Sequence, residues 1–426
     1  MKRVGKLKKK FLTKETIVDI IIYLCRSEKR KHWTKGMKKN WKNFFEDFDN
    51  NVNKLFQDLD KKKYKFHPFN TFIRYENGKK RFIYSSVAED QIVDNILNAC
   101  LEYALMEVKK IIHPNAYGSI KGKGQHELRT KIIRKVKNRD DLYVALCDTY
   151  HYYPTIKHDI MMKFLKKHIK DTWVLWLCEK TLERIRGNEG MALGLASSNI
   201  LGHVYHAAID WEMICENGMK DYYRFCDDKI MISNDKKYLH SMVRTLIGEI
   251  ENCGQRIKSN WRVVHCKKER FEFLGASINS NNARLRPGGR RRVEYRFKKE
   301  LRQSFNIENE EDRDRILRTW AGIRGGFKGL SVGNLINYWK TQTYTKFFER
   351  LNLVEGWIKL ERDTKKYRLK KKNEIKFAID IRSDENKIRF PIDKESDLFT
   401  IPNRRLKLHK YIELCLTYLQ NPQSQN

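Results

Sequence analysis

The sequence predicts an α+β protein centred on a split βαβ sheet. An apolar run at 142–147 ends in Asp148, and two further apolar segments flank the pair Asp227 and Asp228. Helical patterns lie between and after these segments, in the order strand, helix, helix, hairpin, helix, strand. This order is typical of a split βαβ sheet, and we expect its helices on one face.

The first part of the chain predicts a helix, a hairpin and a second helix. Residues 41–60 carry apolar positions at helical spacing. Residues 66–73 and 81–84 predict two strands, because Asn77-Gly78 in the turn at 75–80 is a strong hairpin signal. Residues 91–110 keep helical spacing almost throughout and predict a long amphipathic helix.

The next part alternates glycine-containing loops with helices. The loop at 117–126 has glycines that free backbone amides and two lysines, which suits phosphate, although for this loop alone a plain flexible turn is the better explanation. A helix is predicted from about Glu127, and others at 159–170, at 195–210 and at 238–253, the last ending at Gly254.

Composition points to an anionic partner. With 88 Lys+Arg against 53 Asp+Glu, the formal net charge of the 426 residues is +35, which attracts nucleic acid or an anionic membrane. The apolar stretch 17–25 contains Asp19 and is too short to span a bilayer, so we expect no membrane partner. The nine cysteines include no CxxC pair, so neither a disulfide framework nor a zinc site is expected. We expect an intracellular protein.

Three carboxylates form the candidate catalytic set. Asp227 and Asp228 alone fit a solvated turn as well as a metal site. Asp148, at the end of another strand, supplies the third acid. One acid at a strand end and two in a hairpin are the minimum set that can hold two hard cations and leave room for substrate phosphates.

Four ordered motifs resemble the palm of the reverse transcriptases. They are an Asp followed by two aromatics and Pro-Thr-Ile (148–156), a Gly-x-x-x-Gly-x-x-x-Ser block (190–198), an aromatic-x-Asp-Asp hairpin (225–228) and a Phe-Leu-Gly turn (273–275). The resemblance covers about residues 60–280 and, more loosely, a thumb to about 350. It implies a right-hand polymerase with fingers, palm and helical thumb.

The resemblance implies the following division of the chain: a helical N-terminal extension at 1–60, fingers at 61–140, palm at 141–280, thumb at 281–354 and a basic appendage at 355–426. The basic clusters in the thumb resemble a surface that follows a duplex backbone, although a solvated helix face would look the same. The appendage is expected to bind RNA or to mediate self-association.

The resemblance also implies catalytic roles. Asp148, Asp227 and the carbonyl of Thr149 would bind two Mg²⁺ ions, with Mn²⁺ as the alternative metal, and Asp228 would support the site. Tyr153 would exclude a 2′-hydroxyl and so select deoxynucleotides; core packing is its other explanation. The remaining nucleotide-binding residues would be Lys79, Arg81, Lys121, Lys123, Leu193 and Gly194.

Template and primer contacts are implied at Gly190, Ser198, Asn199, Phe273, Leu274 and Gly275. The sequence departs from the family pattern at Phe225, Cys226, Ala192 and Asn199, none of which is a metal ligand. Relatives often carry a lysine that protonates the leaving pyrophosphate at the position of Trp261; Lys258 or Arg262 could replace it here.

The resemblance is to the stand-alone bacterial types. Residues 257–261 and the Cys-Asp-Asp hairpin favour the defence-associated group, which copies a neighbouring non-coding RNA in anti-phage immunity, over diversity-generating retroelement and retron enzymes. The expected partners are an RNA template, the cDNA duplex and dNTPs, with a second copy or an accessory protein. An alternative of another class is a basic RNA-binding protein on a palm without catalysis.

Overall fold

The computed structural model describes residues 2–25, 33–76, 79–303 and 330–331. The predicted appendage at 355–426 and most of the predicted thumb lie outside the described residues. Within these ranges, no helix combines the length and the apolar character needed to cross a bilayer. Helices and mostly antiparallel strands occur together, so the predicted α+β class is confirmed.

Within the described residues, four helices precede the first hairpin: α1 Leu7–Phe11, α2 Lys14–Leu24, α3 Lys35–Glu46 and α4 Phe48–Asp60. The single helix predicted at 41–60 is wrong, because Asp47 has φ −132° and ψ 58° and separates α3 from α4. Trp41 is fully buried and stacks on Trp33 with ring centroids 5.3 Å apart. Apolar spacing continues across Asp47, so periodicity alone did not reveal the break.

The predicted hairpin is present as β1 Asn70–Glu76 and β2 Lys79–Ser85, with Asn70 opposite Ser85. The first strand begins later than the predicted 66–73, and the turn residues 77–78 lie outside the described part. The amide of Tyr84 donates to the carbonyl of Leu193 at 3.2 Å, which fastens the hairpin to the glycine-containing segment.

The helix predicted at 91–110 changes its winding midway. It is α-helical as α5 Ala88–Leu101 and continues as a π-helix at Glu102–Val108. π-Helical turns are uncommon, and side-chain periodicity does not separate them from an α-helix.

The central sheet has five strands in the order β3-β5-β6-β4-β7. Their bounds are β3 Ala116–Tyr117, β4 Tyr143–Asp148, β5 Tyr222–Phe225, β6 Asp228–Ser233 and β7 Arg262–His265. β3 pairs with β5 in parallel, and the other pairs are antiparallel. β4 therefore lies between β6 and β7, both of which follow it in sequence.

The helices that complete the described fold are α6 Gln125–Val136, α7 His158–His168, α8 Thr172–Leu182, α9 Ala196–Tyr205, α10 Ala207–Trp211 and α11 Lys236–Asn252. The expectation of helices on one face is wrong. Leu128 of α6 packs with Val144 on one face of the sheet, whereas Leu246 of α11 packs with Ala145 on the other. Both faces are covered because β4 is apolar at consecutive positions.

A small sheet follows, formed by β8 Phe271–Phe273, β9 Ala276–Ile278 and β10 Ala283–Leu285. Together with α6, the small sheet packs against the face of the central sheet that carries Val144. The basic helix α12 Pro287–Gln303 comes next and enters the predicted thumb.

Candidate active site

The three predicted carboxylates meet at one end of the central sheet. Asp148 ends β4 and Asp228 begins β6, and the antiparallel register places them directly opposite each other. Residues opposite each other in an antiparallel pair point to the same face, so both carboxyl groups share one side of the sheet. Asp227 lies beside them in the two-residue turn between β5 and β6.

The hairpin turn is fixed by its neighbours. Cys226 has φ 52°, in the left-handed region where glycine is usual, and its amide donates to the carbonyl of Tyr117 at 3.1 Å. A Cβ on Gly118 would lie 2.6 Å from the Cys226 sulfur, so only glycine fits there. The amide of Thr149 donates to the carbonyl of Asp227 at 3.3 Å. The turn that carries Asp227 is therefore held by both adjoining segments.

The carboxylates repel one another. Burial, followed by the charges of Asp227 and Asp148, raises the pKa of Asp228 from 3.8 to about 7. One oxygen of Asp148, Oδ1, is buried and has no hydrogen-bond partner, whereas Oδ2 forms an ion pair with Lys258. A buried acceptor without a partner is costly, and a cation placed here would satisfy it.

The donor chemistry fits a hard divalent cation. Among the residues that the structure describes, no group of three or more His, Cys, Asp or Glu side chains lies close enough together to hold a metal ion. The carboxylates therefore do not form a closed cage. Mg²⁺ commonly binds through one or two carboxylates and takes its other ligands from water and substrate phosphates. The buried Asp148 oxygen and the raised pKa of Asp228 both agree with that kind of open site.

A buried lysine lies behind the turn. Lys229 follows Asp228 in β6, points to the opposite face and is 1% exposed. Its ammonium donates to the hydroxyl of Thr149 and, at 3.1 Å, to the carbonyl of Asp227. Burial and the charge of Arg224 lower its pKa to about 8. Lys229 thus joins the end of β4 to the hairpin turn.

A buried ion pair lies on the same face as Lys229. Arg224, fully buried in β5, donates to the carboxylate of Asp210 at 2.6–2.9 Å. It also donates to the carbonyls of Cys226 and His203, at 3.2 and 3.1 Å. Tyr222 donates to the same carboxylate at 3.0 Å. Arg224 therefore connects the catalytic turn to α9 and α10.

Tyr153 lies between the catalytic turn and α9. Its ring is half-buried, and a Cβ on Gly202 would lie 3.4 Å from it. Burial, with smaller contributions from Cys226 and Asp227, raises its pKa. The neighbouring Tyr152 is buried and donates to the carbonyl of Gly202. Tyr153 thus has both a packing contact and a position near the acidic turn.

The glycine block packs on the segment that follows Asp148. Gly190 has φ 99°, its amide donates to the carbonyl of Ile156 at 2.8 Å, and its carbonyl accepts from the His158 ring at 2.7 Å. The buried hydroxyl of Ser198 donates to the carbonyl of Ala192 at 2.7 Å, so it braces the block from inside. Asn199 is exposed.

The predicted nucleotide-binding residues come from three places. Gly194 has φ 117°, and a Cβ there would lie 3.1 Å from the carbonyl oxygen of Tyr84, which brings Leu193 and Gly194 against the β1–β2 hairpin. Arg81 and Lys121 are exposed. Lys123 instead donates to the carbonyl of Pro114 at 2.6 Å. The side chain of Lys79 lies outside the described part of the structure.

The predicted primer turn is a two-residue hairpin between β8 and β9. Leu274 and Gly275 both have positive φ, 45° and 77°, and Phe273 is buried beneath them. Gln125 donates to the carbonyl of Leu274 at 2.7 Å, which ties the turn to the start of α6. A leucine in the left-handed region is strained, which marks this turn as constrained by its surroundings.

Sequence reasoning missed Arg224, Asp210 and Lys229. A charged residue inside an otherwise apolar strand was the available signal, since such a side chain must be paired when buried. Of the two candidates to replace the lysine missing at Trp261, Lys258 is the one that contacts Asp148. Trp261 packs beside His240 instead, and Arg262 is exposed on β7.

Comparison with known proteins assigns the family. The family described as "Reverse transcriptase (RNA-dependent DNA polymerase)" matches residues 48–278, more than half of the chain. The chain belongs to the reverse transcriptase family. Residues 48–278 form its reverse transcriptase domain, which holds Asp148, Asp227 and Asp228. No curated protein matches the chain by sequence.

Solved telomerase structures are similar to this reverse transcriptase. Apo telomerase from Candida tropicalis has a TM-score of 0.45 and 11% identity over 62% of this chain and 58% of that one. The same telomerase truncated from its C-terminal domain has a TM-score of 0.40 and 14% identity, over 52% of this chain and 55% of that one. Candida albicans telomerase, in complex with a TWJ fragment of telomeric RNA, has a TM-score of 0.40 and 12% identity, over 72% of this chain and 64% of that one. The chain thus spans less than two thirds of each telomerase chain.

Replacement of Arg224 by Gln should destabilise this reverse transcriptase by about 3–5 kcal/mol, because Asp210 is left buried without its charged partner. The double variant Arg224→Gln/Asp210→Asn removes both charges and should regain part of that loss. Urea unfolding followed by tryptophan fluorescence measures both. A single variant as stable as the double would contradict the explanation that Asp210, left buried without its charged partner, causes the loss.

Replacement of Asp228 by Asn should raise the melting temperature at pH 8 and change it little at pH 4. The pKa of Asp228 is raised in the folded protein, from 3.8 to about 7, so the folded state binds more protons between those values and stability falls as the pH rises. We expect a gain of roughly 3–6 °C at pH 8, measured with EDTA present.

The exposed Asp49→Asn is the matched control for Asp228→Asn and should show no such pH-dependent gain. A gain of equal size at pH 4 and pH 8 would contradict the raised pKa.

Proposed function

We propose that the chain is an RNA-directed DNA polymerase that extends a primer on an RNA template by two-metal nucleotidyl transfer. The observation that carries the proposal is the register of β4 and β6, which sets Asp148 opposite Asp228 beside the constrained Asp227 turn. Such an arrangement gathers negative charge at one end of the sheet, where it can hold cations together with a triphosphate.

The residues that would hold Mg²⁺, or Mn²⁺ in its place, are Asp148, Asp227 and the carbonyl of Thr149, with Asp228 in support. Metals held there would supply activation of the primer 3′-hydroxyl and neutralisation of charge on the triphosphate and on the leaving pyrophosphate.

The chain's own residues would orient these groups. Lys258, paired with Asp148, is the candidate to supply a proton to the leaving pyrophosphate, a role that the sequence left open between Lys258 and Arg262. Lys229 and Arg224 would keep the Asp227 turn in place during catalysis, since both donate to its backbone carbonyls. Preorganised donors of this kind need not rearrange as the reaction proceeds.

Tyr153 would exclude ribonucleotides. Its ring rests on Gly202 close to the acidic turn, where it would meet the sugar of an incoming nucleotide. Arg81, Lys121 and the loop at Leu193-Gly194 would border the triphosphate and the templating base.

The proposed biological role is the copying of a cognate non-coding RNA in anti-phage defence, in the cytoplasm of a bacterium. A retron or a diversity-generating retroelement is the alternative within the family. A template/variable repeat pair beside the gene would identify the retroelement, and an upstream structured RNA the defence type. The non-catalytic alternative is disfavoured because all three carboxylates are retained, whereas RNA binding alone would not require them.

Replacement of either Asp148 or Asp227 by Asn should reduce primer extension on an RNA template with Mg²⁺ by roughly 10³-fold or more, because each removes a metal ligand. Gel analysis of a labelled primer measures the rate. Asp49→Asn should retain full activity.

Unchanged extension by Asp227→Asn would refute the polymerase proposal. No extension by the intact protein with its co-purified RNA, together with retained RNA binding, would favour the non-catalytic alternative.

Replacement of Tyr153 by Ala should increase the use of ribonucleotides relative to deoxynucleotides, by roughly 10-fold or more if the ring is the barrier to a 2′-hydroxyl. Competition between a dNTP and the matching rNTP in primer extension measures this ratio. Tyr150→Ala, a change at an exposed neighbour, is the control. A lowered melting temperature with an unchanged ratio would assign Tyr153 to core packing.

A further inference from the structure

A group of lysines from three separate chain segments lies at the C-terminal end of α7. The group is defined here as the lysine surface and consists of Lys2, Lys109, Lys110, Lys166, Lys167 and Lys170. None of these residues belongs to the candidate active site. The N-terminal end of α7 contacts the Gly190 block through His158, and the helix rises about 15 Å to His168. The lysine surface is therefore separated from that block by the length of the helix.

Backbone pairing brings the three segments together. The amide of Val4 donates to the carbonyl of His168 at 2.8 Å, and the amide of Lys170 donates to the carbonyl of Val4 at 2.7 Å. The Lys170 side chain crosses Gly5, where a Cβ would lie 2.6 Å from its Cε. The Lys109 ammonium donates to the carbonyl of Lys2. The three lysine-bearing segments are thus adjacent in space because these contacts hold them together.

The positive field of the lysine surface acts on a neighbouring histidine. Burial lowers the pKa of His168, and the charges of Lys167 and Lys109 lower it further. Residues 2–10, 108–111 and 160–170 contain no Asp or Glu. Of the acids that flank them, Glu107 is exposed, whereas Asp171 accepts from the amides of Leu7 and Lys8 at 2.7 and 3.1 Å. Concentrated like charge destabilises a folded protein unless an anion compensates it.

We infer that the lysine surface binds the phosphate backbone of double-helical RNA, as a second RNA-binding surface apart from the polymerase cleft. This inference rests on the proposed function, because it takes RNA as the template. Lysine ammonium groups contact phosphates without reading sequence, and a row of them fits a helix that presents regularly spaced charges.

An RNA helix fits this surface better than a membrane does. A helix that lies on a bilayer must present an apolar face to the lipid. The helices α7 and α1 adjoin the lysine surface, and their apolar residues pack in the protein core. Met161 and Leu165 of α7 are buried, as are Leu7 and Phe11 of α1. Val108, beside Lys109, is 48% exposed, but a single valine among lysines does not form an apolar helix face. The surrounding charge therefore suits a polyanion whose own bases are paired and turned inward.

The test uses the full chain and an RNA hairpin with a stem of about 16 base pairs, the length that double-stranded RNA modules span. The variant replaces the exposed Lys110, Lys166 and Lys167 by Gln. The matched control removes the same charge from another exposed surface, as Lys220, Lys236 and Lys237 to Gln. Fluorescence anisotropy at several salt concentrations measures the dissociation constant and its salt slope.

The lysine-surface variant should bind the hairpin roughly 10-fold or more weaker, and its salt slope should be lower by about 2–3, since each phosphate contact contributes about 0.7–0.9. The control variant should change the dissociation constant and the salt slope less than the lysine-surface variant does. Primer extension on a short primer and template without an added stem should be unaffected in both variants.

An equal loss of hairpin binding in the lysine-surface variant and in the control would overturn the inference, because net charge alone would then explain the effect. Unchanged hairpin binding, with loss of binding to phosphatidylserine vesicles, would also overturn it and assign the surface to a membrane. If hairpin binding depends on the lysine surface but the wild type extends no primer, the polymerase proposal is wrong, whereas the inference that the lysine surface binds RNA is supported.

Discussion

Repulsion between carboxylates at the end of one sheet is the constraint around which the site is built. Asp148, Asp227 and Asp228 lie together, and burial adds to their mutual repulsion at Asp228. Three cations oppose it: Lys258 pairs with Asp148, while Lys229 and Arg224 donate to the carbonyls of the turn from the other face. The acids can therefore remain close before any metal or substrate binds.

The sequence predicted the parts of the site that depend on local chemistry. An apolar strand that ends in an acid and a two-residue acidic turn between strands are local patterns, so Asp148 and Asp227 could be placed on the right elements. Gly194, whose φ of 117° favours glycine, belonged to a recognisable block as well. The α+β class followed from the order of these elements.

Other features depend on tertiary contacts and could not be predicted. Arg224 is paired with Asp210 only because β5 passes α10, and Lys229 is buried against Thr149 and Tyr152, which follow β4. The helix break at Asp47 and the π-helix at Glu102–Val108 interrupt patterns whose apolar spacing continues unchanged. In each case the sequence carries the residue but not the neighbour that decides its conformation.

The position of β4 has a consequence for synthesis on the ribosome. Both strands that pair with it, β6 and β7, are made later, and Thr149 precedes Lys229 by 80 residues. At typical elongation rates this interval lasts about 4–16 s, during which the apolar strand that ends in Asp148 has no strand partner. Nascent chains of this length therefore expose an unpaired apolar strand that is prone to aggregate. Binding by a chaperone during translation would protect this strand until the β5–β6 hairpin emerges.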